Sequence, residues 1–398
     1  MNSIRNILFT FIVLLFFVVS CKKSNINPEN IFTKIYADPN ADISYYPLDI
    51  AENGSGGYYI LGATAIDTTH TWLNTYVAKT DELGELQWSV ILDVPYVNPV
   101  SSLINIGGDF YIFCMDEVSL GTHILKIDEA GQTASQVASL GSIIYPLAVS
   151  KTPDNGFLLL SYDRISRNTT MSKIDATFNI TWQSQFNVIE DAEEILVDHL
   201  IKTGKNIPFF TGYIGSGNAT HYFANGLYNY TLSLLFVSAT NGDRTGIAQG
   251  YRYDGGASSL LSIQGNSFAL SRFSFGSHFL IPLTNIDISS TTNISDFGGG
   301  KLAEIEANAE TRVKRMTIAG KETVVFASNT NNNQVIIYAY DILTNELILK
   351  KYLGFSNPVT IGSLIQTNDG GIAILVQTMV TGRFKRIGLY KIPKEHLE

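Results

Sequence analysis

The chain has 398 residues, 36 of them acidic and 27 basic, and a net charge of -9. It contains no basic tract, and binding to nucleic acid needs clustered Lys and Arg to displace counterions from phosphates, so we expect no nucleic-acid partner. A chain of this length can bury a large hydrophobic core.

The amino terminus has the layout of a secretory signal. Arg5 precedes the apolar run from Ile7 to Val19, whose one polar member is Thr10. A positively charged start followed by a short apolar run is typical of a signal peptide. The run is well short of the roughly 20 residues that a membrane-spanning helix needs. We therefore predict that residues 1–20 are removed.

The apolar run ends in Val18, Val19, Ser20 and Cys21, which resembles the lipobox of bacterial lipoproteins. The resemblance implies cleavage before Cys21 and acylation of that cysteine, with permanent membrane anchoring because several acyl chains bind a bilayer stably. The alternative is an ordinary signal peptide with a chance cysteine. Residues 21–30 are then the lipidated Cys and a flexible tether. We expect the protein to lie in the cell envelope, with the outer membrane as the first choice of membrane. The folded domain would then lie in the periplasm or at the cell surface.

Cys114 has no cysteine to pair with once Cys21 is acylated. The sequence therefore predicts neither an intramolecular disulfide nor a thiolate metal cluster. Cys114 lies in the apolar run of residues 110–115, where we expect a small buried side chain. The six histidines are scattered, with no pair at metal-binding spacing, and we expect no metal site and no cofactor.

An internal repeat indicates the fold. Residues 75–81, 122–128 and 169–175 each have Thr first, Lys fifth and Asp last, at intervals of 47 residues. Each copy reads as short strands joined by tight turns, and Gly-Gly or Asn-Gly precedes an apolar strand further upstream. Four short strands per unit at this period are the signature of a β-propeller blade. The sequence therefore predicts an all-β protein whose residues 31–398 form a single β-propeller of seven four-stranded blades, with the fourth enlarged.

The chain ends support this interpretation. The last repeat lacks an outer strand after residues 388–392, while residues 31–36 form a spare strand before the first repeat. We predict that the N-terminal strand completes the last blade and closes the ring, which removes an exposed sheet edge. A β-sandwich or a solenoid is the alternative.

The repeated pattern of Asp-Gly-Gly followed by Lys-x-Asp-x-x-Gly-x-x-x-Trp resembles the repeat of bacterial lipoprotein propellers. It is also distantly similar to quinoprotein-type propellers, because residues 339–349 match that motif except at Asn345 and Leu349. The docking tryptophan of that family is mostly absent and there is no vicinal cysteine pair, so the resemblance does not imply a quinone cofactor.

Two segments are candidates for chemistry. Residues 190–194 with Asp198 and His199 concentrate acids that could serve as the carboxylate pair of a glycoside hydrolase, or could form a solvated loop. Residues 209–230 read as a long insertion rich in aromatic side chains, which could contact a ligand or could belong to the blade core. The candidate ligand contacts are Tyr213, His221, Tyr222, Tyr228, Tyr230, Tyr251 and Arg252.

No catalytic motif is present, so catalytic residues are not assigned. The leading hypothesis is a membrane-anchored propeller that binds or scaffolds a protein partner or a glycan. The alternatives are a hydrolase or lyase acting on polysaccharide, with carboxylates at the mouth of the propeller, and a structural component of the envelope. Fold alone does not separate them.

Overall fold

The computed structural model describes residues 32–36, 42–65, 71–203, 206–252, 254–355, 357–380 and 384–397. These residues are mostly β-structure, with one α-helix, α1 (Glu193–Leu200), and two short 3-10 helices at Ile294–Phe297 and Lys394–His396. No helix in the described part is long and apolar enough to span a membrane. The signal segment, Cys21 and the tether lie outside the described residues.

The described strands form six sheets, built from sets of four neighbouring antiparallel strands that we call meanders. A lone strand comes first, β1 (Phe32–Tyr36). Meander 1 contains β2 (Tyr45–Glu52), β3 (Tyr58–Thr64), β4 (Asn74–Thr80) and β5 (Leu86–Ile91). After the short β6 (Tyr96–Val97), meander 2 contains β7 (Ile104–Ile106), β8 (Asp109–Asp116), β9 (Gly121–Asp128) and β10 (Thr133–Ile144). Because β6 pairs with both β4 and β8, meanders 1 and 2 form one nine-stranded sheet.

Each later meander has a sheet of its own. Meander 3 contains β11 (Pro146–Lys151), β12 (Phe157–Asp163), β13 (Asn168–Ile174) and β14 (Ile180–Asn187). Meander 4 contains β15 (Phe210–Ile214), β16 (His221–Tyr228), β17 (Thr231–Ser238) and β18 (Arg244–Gln249). Meander 5 contains β19 (Gly255–Gln264), β20 (Ser267–Ser274) and β21 (Ser277–Asn285), and, after β22 (Thr291–Asn293), also β23 (Gly300–Lys301). Meander 6 contains β24 (Thr311–Ile318), β25 (Lys321–Asn329), β26 (Val335–Asp341) and β27 (Leu347–Leu353), and the last sheet begins with β28 (Val359–Gln366), β29 (Ile372–Val380) and β30 (Phe384–Ile392).

The aspartate of the repeated Lys-x-Asp pattern holds the turn between the third and fourth strands of a meander. In meander 1, Asp81 Oδ1 accepts hydrogen bonds from the backbone N–H groups of Leu83 at 2.9 Å and Glu85 at 2.8 Å. In meander 3, Asp175 Oδ1 accepts from Thr177 and Asn179 in the same way. A short acidic side chain that bonds backbone N–H groups just ahead of it mimics a turn, which explains the recurrence of Asp here.

In meander 3 and in the last sheet, a lysine of the third strand packs under the turn between the first two strands. Lys173 Nζ lies 2.8 Å from Asp154 Oδ2, and Lys391 Nζ lies 2.7 Å from Asp369 Oδ2. A Cβ added to Gly156 would lie 2.6 Å from Lys173 Nζ, so glycine leaves the space that the ammonium group occupies. The Asp-x-Gly turn and the distant Lys are therefore one unit, which explains why they recur together.

The first and last described strands pair with each other in the last sheet. β1 lies antiparallel beside β30, with Thr33 opposite Tyr390, as the sequence predicts. Ile31, which the sequence includes in this strand, lies outside the described residues. Phe32 and Tyr36 are buried, and the Tyr36 hydroxyl donates a hydrogen bond to the carbonyl oxygen of Gly84 at 2.8 Å. β1 therefore completes the four strands of meander 7 (β28, β29, β30 and β1) and also packs on the turn of meander 1.

The first strands of the meanders lie next to one another. Contacts join β28 to β2 and to β24, and further contacts join β24 to β19, β19 to β15, β15 to β11, and β11 to β7. None of the six sheets closes on itself within the described residues. The cores lie mostly between neighbouring meanders, where the central residues of the second and third strands are buried on both faces. Cys114 is fully buried in such a core, as expected.

One expectation about local structure is wrong. Residues 209–230 are not an insertion, because they contain β15 and β16, the first two strands of meander 4. Gly212 lies within β15, opposite Phe223 of β16, and an added Cβ there would lie 2.3 Å from Phe223 Cζ. Glycine therefore leaves the space that the Phe223 ring occupies. Meander 5 departs from a simple four-stranded hairpin order after Asn285. The chain crosses to meander 4, where β22 pairs in parallel with β18, and then returns as β23.

Candidate functional site

The first strands of the meanders line two adjoining cavities. Cavity A, of about 480 Å³, is bordered by residues near the starts of these strands, including Tyr46, Pro146 and Ile361. Cavity B, of about 1010 Å³, is bordered by residues nearer their ends, including Lys151 and Ile214. The first strands therefore run side by side in the same direction, from cavity A towards cavity B. Four residues border both cavities: Leu48, Ser101, Phe209 and Arg312.

Cavity A contains charged side chains from distant parts of the chain. Lys202 follows α1, Glu310 and Arg312 flank the start of β24, and Lys385 lies at the start of β30. Arg312 Nη2 lies 3.1 Å from Glu310 Oε2, and Arg312 Nε donates a hydrogen bond to the carbonyl oxygen of Gly362 at 2.7 Å. The charges of Arg312 and Glu310 therefore neutralise each other.

The two lysines of cavity A have no carboxylate partner among the described residues. Lys385 Nζ lies 4.7 Å from the centre of the Tyr46 ring, a cation–π contact. Within the described ranges, Lys202 Nζ donates no hydrogen bond. The Lys202 backbone has a φ of 59°, a left-handed conformation that follows the end of α1 and turns the chain towards the cavity.

Burial makes both ammonium groups easier to deprotonate. Burial lowers the pKa of Lys202 to about 8, with attraction from Glu310 opposing the change and repulsion from Arg312 and Lys385 adding to it. Burial also lowers the pKa of Lys385. Burial and repulsion from Lys202 hold the pKa of His199 well below its usual value, and His199 Nδ1 accepts a hydrogen bond from the Ile207 backbone N–H. The His199 imidazole is therefore neutral where it lines the cavity beside Lys202.

The acidic segment lies elsewhere. Residues 190–194 border neither cavity, and they lead into and begin α1. The Glu193 carboxylate accepts a hydrogen bond from the Tyr145 hydroxyl at 2.6 Å and pairs with Arg164 at 3.1 Å. This carboxylate therefore fixes α1 to meander 3. No group of three or more His, Cys, Asp or Glu side chains that could hold a metal ion occurs among the described residues.

The seven aromatic and basic candidates from the sequence do not form one patch. Tyr213 borders cavity B and is partly exposed. Tyr222 is only 3 % exposed and packs against Trp182 at 5.9 Å between ring centres, and Tyr228 packs edge-on against Phe186. His221 lies on β16, where burial lowers its pKa. Tyr230, Tyr251 and Arg252 lie in exposed connections of meander 4.

Exposed apolar side chains recur at one equivalent turn. Val118, Ile165, Tyr230 and Phe275 each lie between the second and third strands of their own meander, in meanders 2 to 5 consecutively. Their exposure is 86 %, 87 %, 44 % and 66 %. The connections between meanders add further exposed apolar side chains: Val94, Ile189, Tyr251 and Phe355.

These turns and connections lie on the side where cavity A lies. In an antiparallel meander, the turn between strands two and three and the end of strand four lie at the end where strand one begins. The starts of the first strands border cavity A. We call this side, defined by the eight apolar residues above, the turn face. The sequence pointed to two members, Tyr230 and Tyr251, but not to the face as a whole. An apolar residue inside a polar turn, such as Ile165 in residues 164–167, is the signal that could have revealed it.

Comparison with known proteins gives similarity of fold only. No family model and no curated protein matches the chain. Hydrazine synthase of Kuenenia stuttgartiensis is similar in structure, with a TM-score of 0.50 and 10 % identity over 87 % of this chain and 99 % of that one. The β-propeller domain of the Trilobed protease from Pyrococcus furiosus, described as having an open velcro topology, has a TM-score of 0.46 and 10 % identity over 87 % of this chain and 93 % of that one. The Dos1 propeller has a TM-score of 0.48 and 11 % identity, over 90 % of this chain and 95 % of that one.

At sequence identities of 10 % to 11 %, the function of those proteins cannot be assigned to this one. The repeated four-stranded antiparallel meanders have the strand order of propeller blades. The chain is therefore an all-β protein of β-propeller type.

Proposed function

We propose that this protein is an exported, lipid-anchored β-propeller that binds a protein partner on its turn face. The observation that carries the proposal is the exposed apolar side chain at the equivalent turn of four consecutive meanders. Single scattered apolar side chains are normal on a protein surface, but their recurrence at the same turn on one side of the molecule is the pattern of an interaction site. Val118 and Ile165, the most exposed members, are aliphatic and carry no hydroxyl for a sugar. A protein surface therefore fits the turn face better than a glycan does.

The proposed architecture is a ring of seven blades closed by β1. Each meander is one blade, and the nine-stranded sheet contains two blades joined through β6. The chain of contacts between first strands, from β7 through β11 to β28 and β2, supports this ring. The remaining junction, between meanders 1 and 2, is supported by the hydrogen bond from the Leu103 backbone N–H to Asp49 Oδ2 at 2.8 Å. A ring holds the turns of neighbouring blades on one side, as a docking surface needs.

The proposed anchor is the acylated Cys21 at a membrane of the cell envelope, most simply the outer membrane. Its support is the lipobox-like sequence after an apolar run. Residues 22–30 are the tether of this proposed anchor. The geometry gives less support to a polysaccharide hydrolase, because the Glu193 carboxylate is already bonded to Tyr145 and Arg164. Residues 190–194 also border neither cavity.

Site-specific photo-crosslinking of the full-length protein in its native host tests the partner surface. A photoreactive amino acid replaces Ile165 or Val118 in separate variants. The matched control is Leu343, which is 92 % exposed but lies between strands three and four of meander 6, at the opposite end of the strands. We expect the same adduct from both turn-face positions and none from Leu343.

The identity of the adduct decides the result. We expect Phe275→Asp to abolish the adduct formed from Ile165, because a charge placed in the patch opposes apolar docking. Equal adducts from Leu343, or no adduct from either turn-face position, would refute the proposal. An adduct of two copies of this chain would also contradict it and would assign the turn face to self-association.

A further inference from the structure

Cavity A has an excess of positive charge in an acidic protein. Glu310 and Arg312 offset each other, which leaves the ammonium groups of Lys202 and Lys385. Glu306 also borders the cavity, but its side chain is exposed to solvent. The chain as a whole has a net charge of -9, so two cations in one cavity, without a carboxylate partner among the described residues, are not explained by its general composition.

The rest of the cavity wall combines apolar side chains with the amide groups of Asn98, Asn308 and Asn329. Val100, Leu147, Phe209 and Ile361 all border it, and all are buried. Its volume of about 480 Å³ lies in the range of small-molecule sites. Its apolar members can pack against the carbon skeleton of a small ligand, and the two ammonium groups can hold one anionic group.

We propose that cavity A binds a small organic carboxylic acid, with its carboxylate between the Lys202 and Lys385 ammonium groups and its apolar body against Phe209 and Leu147. The Arg312 Nη1 group, which has no hydrogen-bond partner in the described part of the chain, extends the cationic surface. A monovalent carboxylate suits the site better than a phosphate, because Glu310 already lies beside Arg312 and repels a second negative charge. This site is independent of the protein partner proposed for the turn face, so either proposal can fail alone.

The proposal predicts a definite pH dependence. An anion stabilises the protonated form of Lys202, whose pKa burial has lowered to about 8. Binding therefore takes up protons near that pH, and affinity falls as pH rises through it. The groups that face Lys202 are His199, Glu310, Arg312 and Lys385. His199 stays neutral at neutral and alkaline pH, so it does not reverse this direction.

Titration calorimetry on the full-length protein in detergent tests the inference. The probes are benzoate and 4-phenylbutyrate, with benzamide as the uncharged analogue and inorganic phosphate as the alternative anion. We expect one of the two acids to bind at neutral pH, with at least tenfold weaker binding at about one and a half pH units above the pKa of Lys202. Equal binding of benzamide, preferential binding of phosphate, or no binding of either acid would overturn the proposal.

Variants assign the binding to cavity A. We expect Lys202→Met and Lys385→Met each to weaken binding at least tenfold. Lys202→Arg should keep most of the affinity and reduce the loss at alkaline pH, with any remaining loss due to Lys385. Lys394→Met is the matched control, because Lys394 is exposed and borders neither cavity. Thermal unfolding of each variant shows whether it is folded. Unchanged affinity in folded Lys202→Met and Lys385→Met proteins would contradict the assignment.

Discussion

The Ser363 hydroxyl donates a hydrogen bond to Asp49 Oδ1 at 2.5 Å across a separation of 314 residues. The other carboxylate oxygen, Oδ2, accepts from the Leu103 backbone N–H at 2.8 Å. Asp49 lies in β2, Ser363 in β28 and Leu103 just before β7. One carboxylate therefore joins the first strand of meander 1 to both neighbouring meanders.

Replacing Asp49 tests how much this junction stabilises the fold. Asp49→Ala removes an acceptor of two hydrogen bonds, and we expect the free energy of unfolding to fall by about 2 to 3 kcal/mol, since bonds to a charged group contribute more than neutral ones. Chemical denaturation measures the change. Asp42→Ala is the control, because Asp42 is exposed. Equal stability of the two variants would show that the junction contributes little.

The packing of β1 on meander 1 gives a second prediction. The Phe32 ring fills the space beside Gly84, where an added Cβ would lie 2.7 Å from Phe32 Cε2. We expect Phe32→Ala to destabilise the protein by about 3 kcal/mol, as truncation of a buried aromatic ring usually does. Thr33→Ala on the same strand is the control, since Thr33 is exposed. If both variants melted at the wild-type temperature, β1 would not be an integral strand.

The strands around the repeats could be predicted because local chemistry determines them. Asp81 and Asp175 bond to turn N–H groups only a few residues away, so their pattern is visible in the sequence. Cavity A could not be predicted, because Lys202, Arg312 and Lys385 belong to no motif and meet only through the arrangement of the meanders. The strands at residues 209–230 were missed because the ring of Phe223 packs over Gly212, a contact that sequence spacing does not show.

The glycines of the repeat give a third prediction. An added Cβ at Gly371 would lie 2.4 Å from Lys391 Nζ and 2.5 Å from the carbonyl oxygen of Ile392. Gly371→Ala must therefore displace both the ammonium group and the backbone, and we expect a loss of about 2 to 3 kcal/mol in unfolding free energy. Gly54→Ala is the control, because an added Cβ there meets no atom within 4 Å. A similar denaturation midpoint for both variants would show that Gly371 is not needed to leave space for the Lys391 ammonium group.

The anchor proposal predicts the fate of a Cys21 variant. Cys21→Ser removes the thiol that an acyl group would need, so we expect the protein to leave the membrane fraction or to keep its signal segment. Cell fractionation and metabolic labelling with a clickable fatty acid measure this. Cys114→Ser is the control, because its buried thiol is not accessible for acylation. Continued labelling of the Cys21→Ser protein would refute the anchor.

The ion pair between Asp369 and Lys391 predicts how stability depends on pH. Lys391 is 2 % exposed, and its Nζ lies 2.8 Å from Asp369 Oδ1 and 2.7 Å from Oδ2. Burial alone would raise the pKa of Asp369, but hydrogen bonds from Lys391, Thr367 and Gly371 lower it below its usual value. A carboxylate with a lowered pKa stabilises the folded state above the pKa of the unfolded chain, near 4, and this stabilisation is lost as pH falls through the folded pKa.

Asp369→Asn leaves the Lys391 ammonium group buried without a counter-charge. At neutral pH we expect a loss of about 2 kcal/mol, less than for a fully buried pair because Asp369 is itself partly exposed to solvent. The difference from the wild type should shrink below about pH 4, where the wild-type carboxylate takes up a proton and also loses its charge. Unfolding free energies measured across this range check both the size and the direction. A difference that stays constant down to about pH 2 would show that the Asp369→Asn substitution acts through altered packing, since a charge effect must disappear when the carboxylate is neutral.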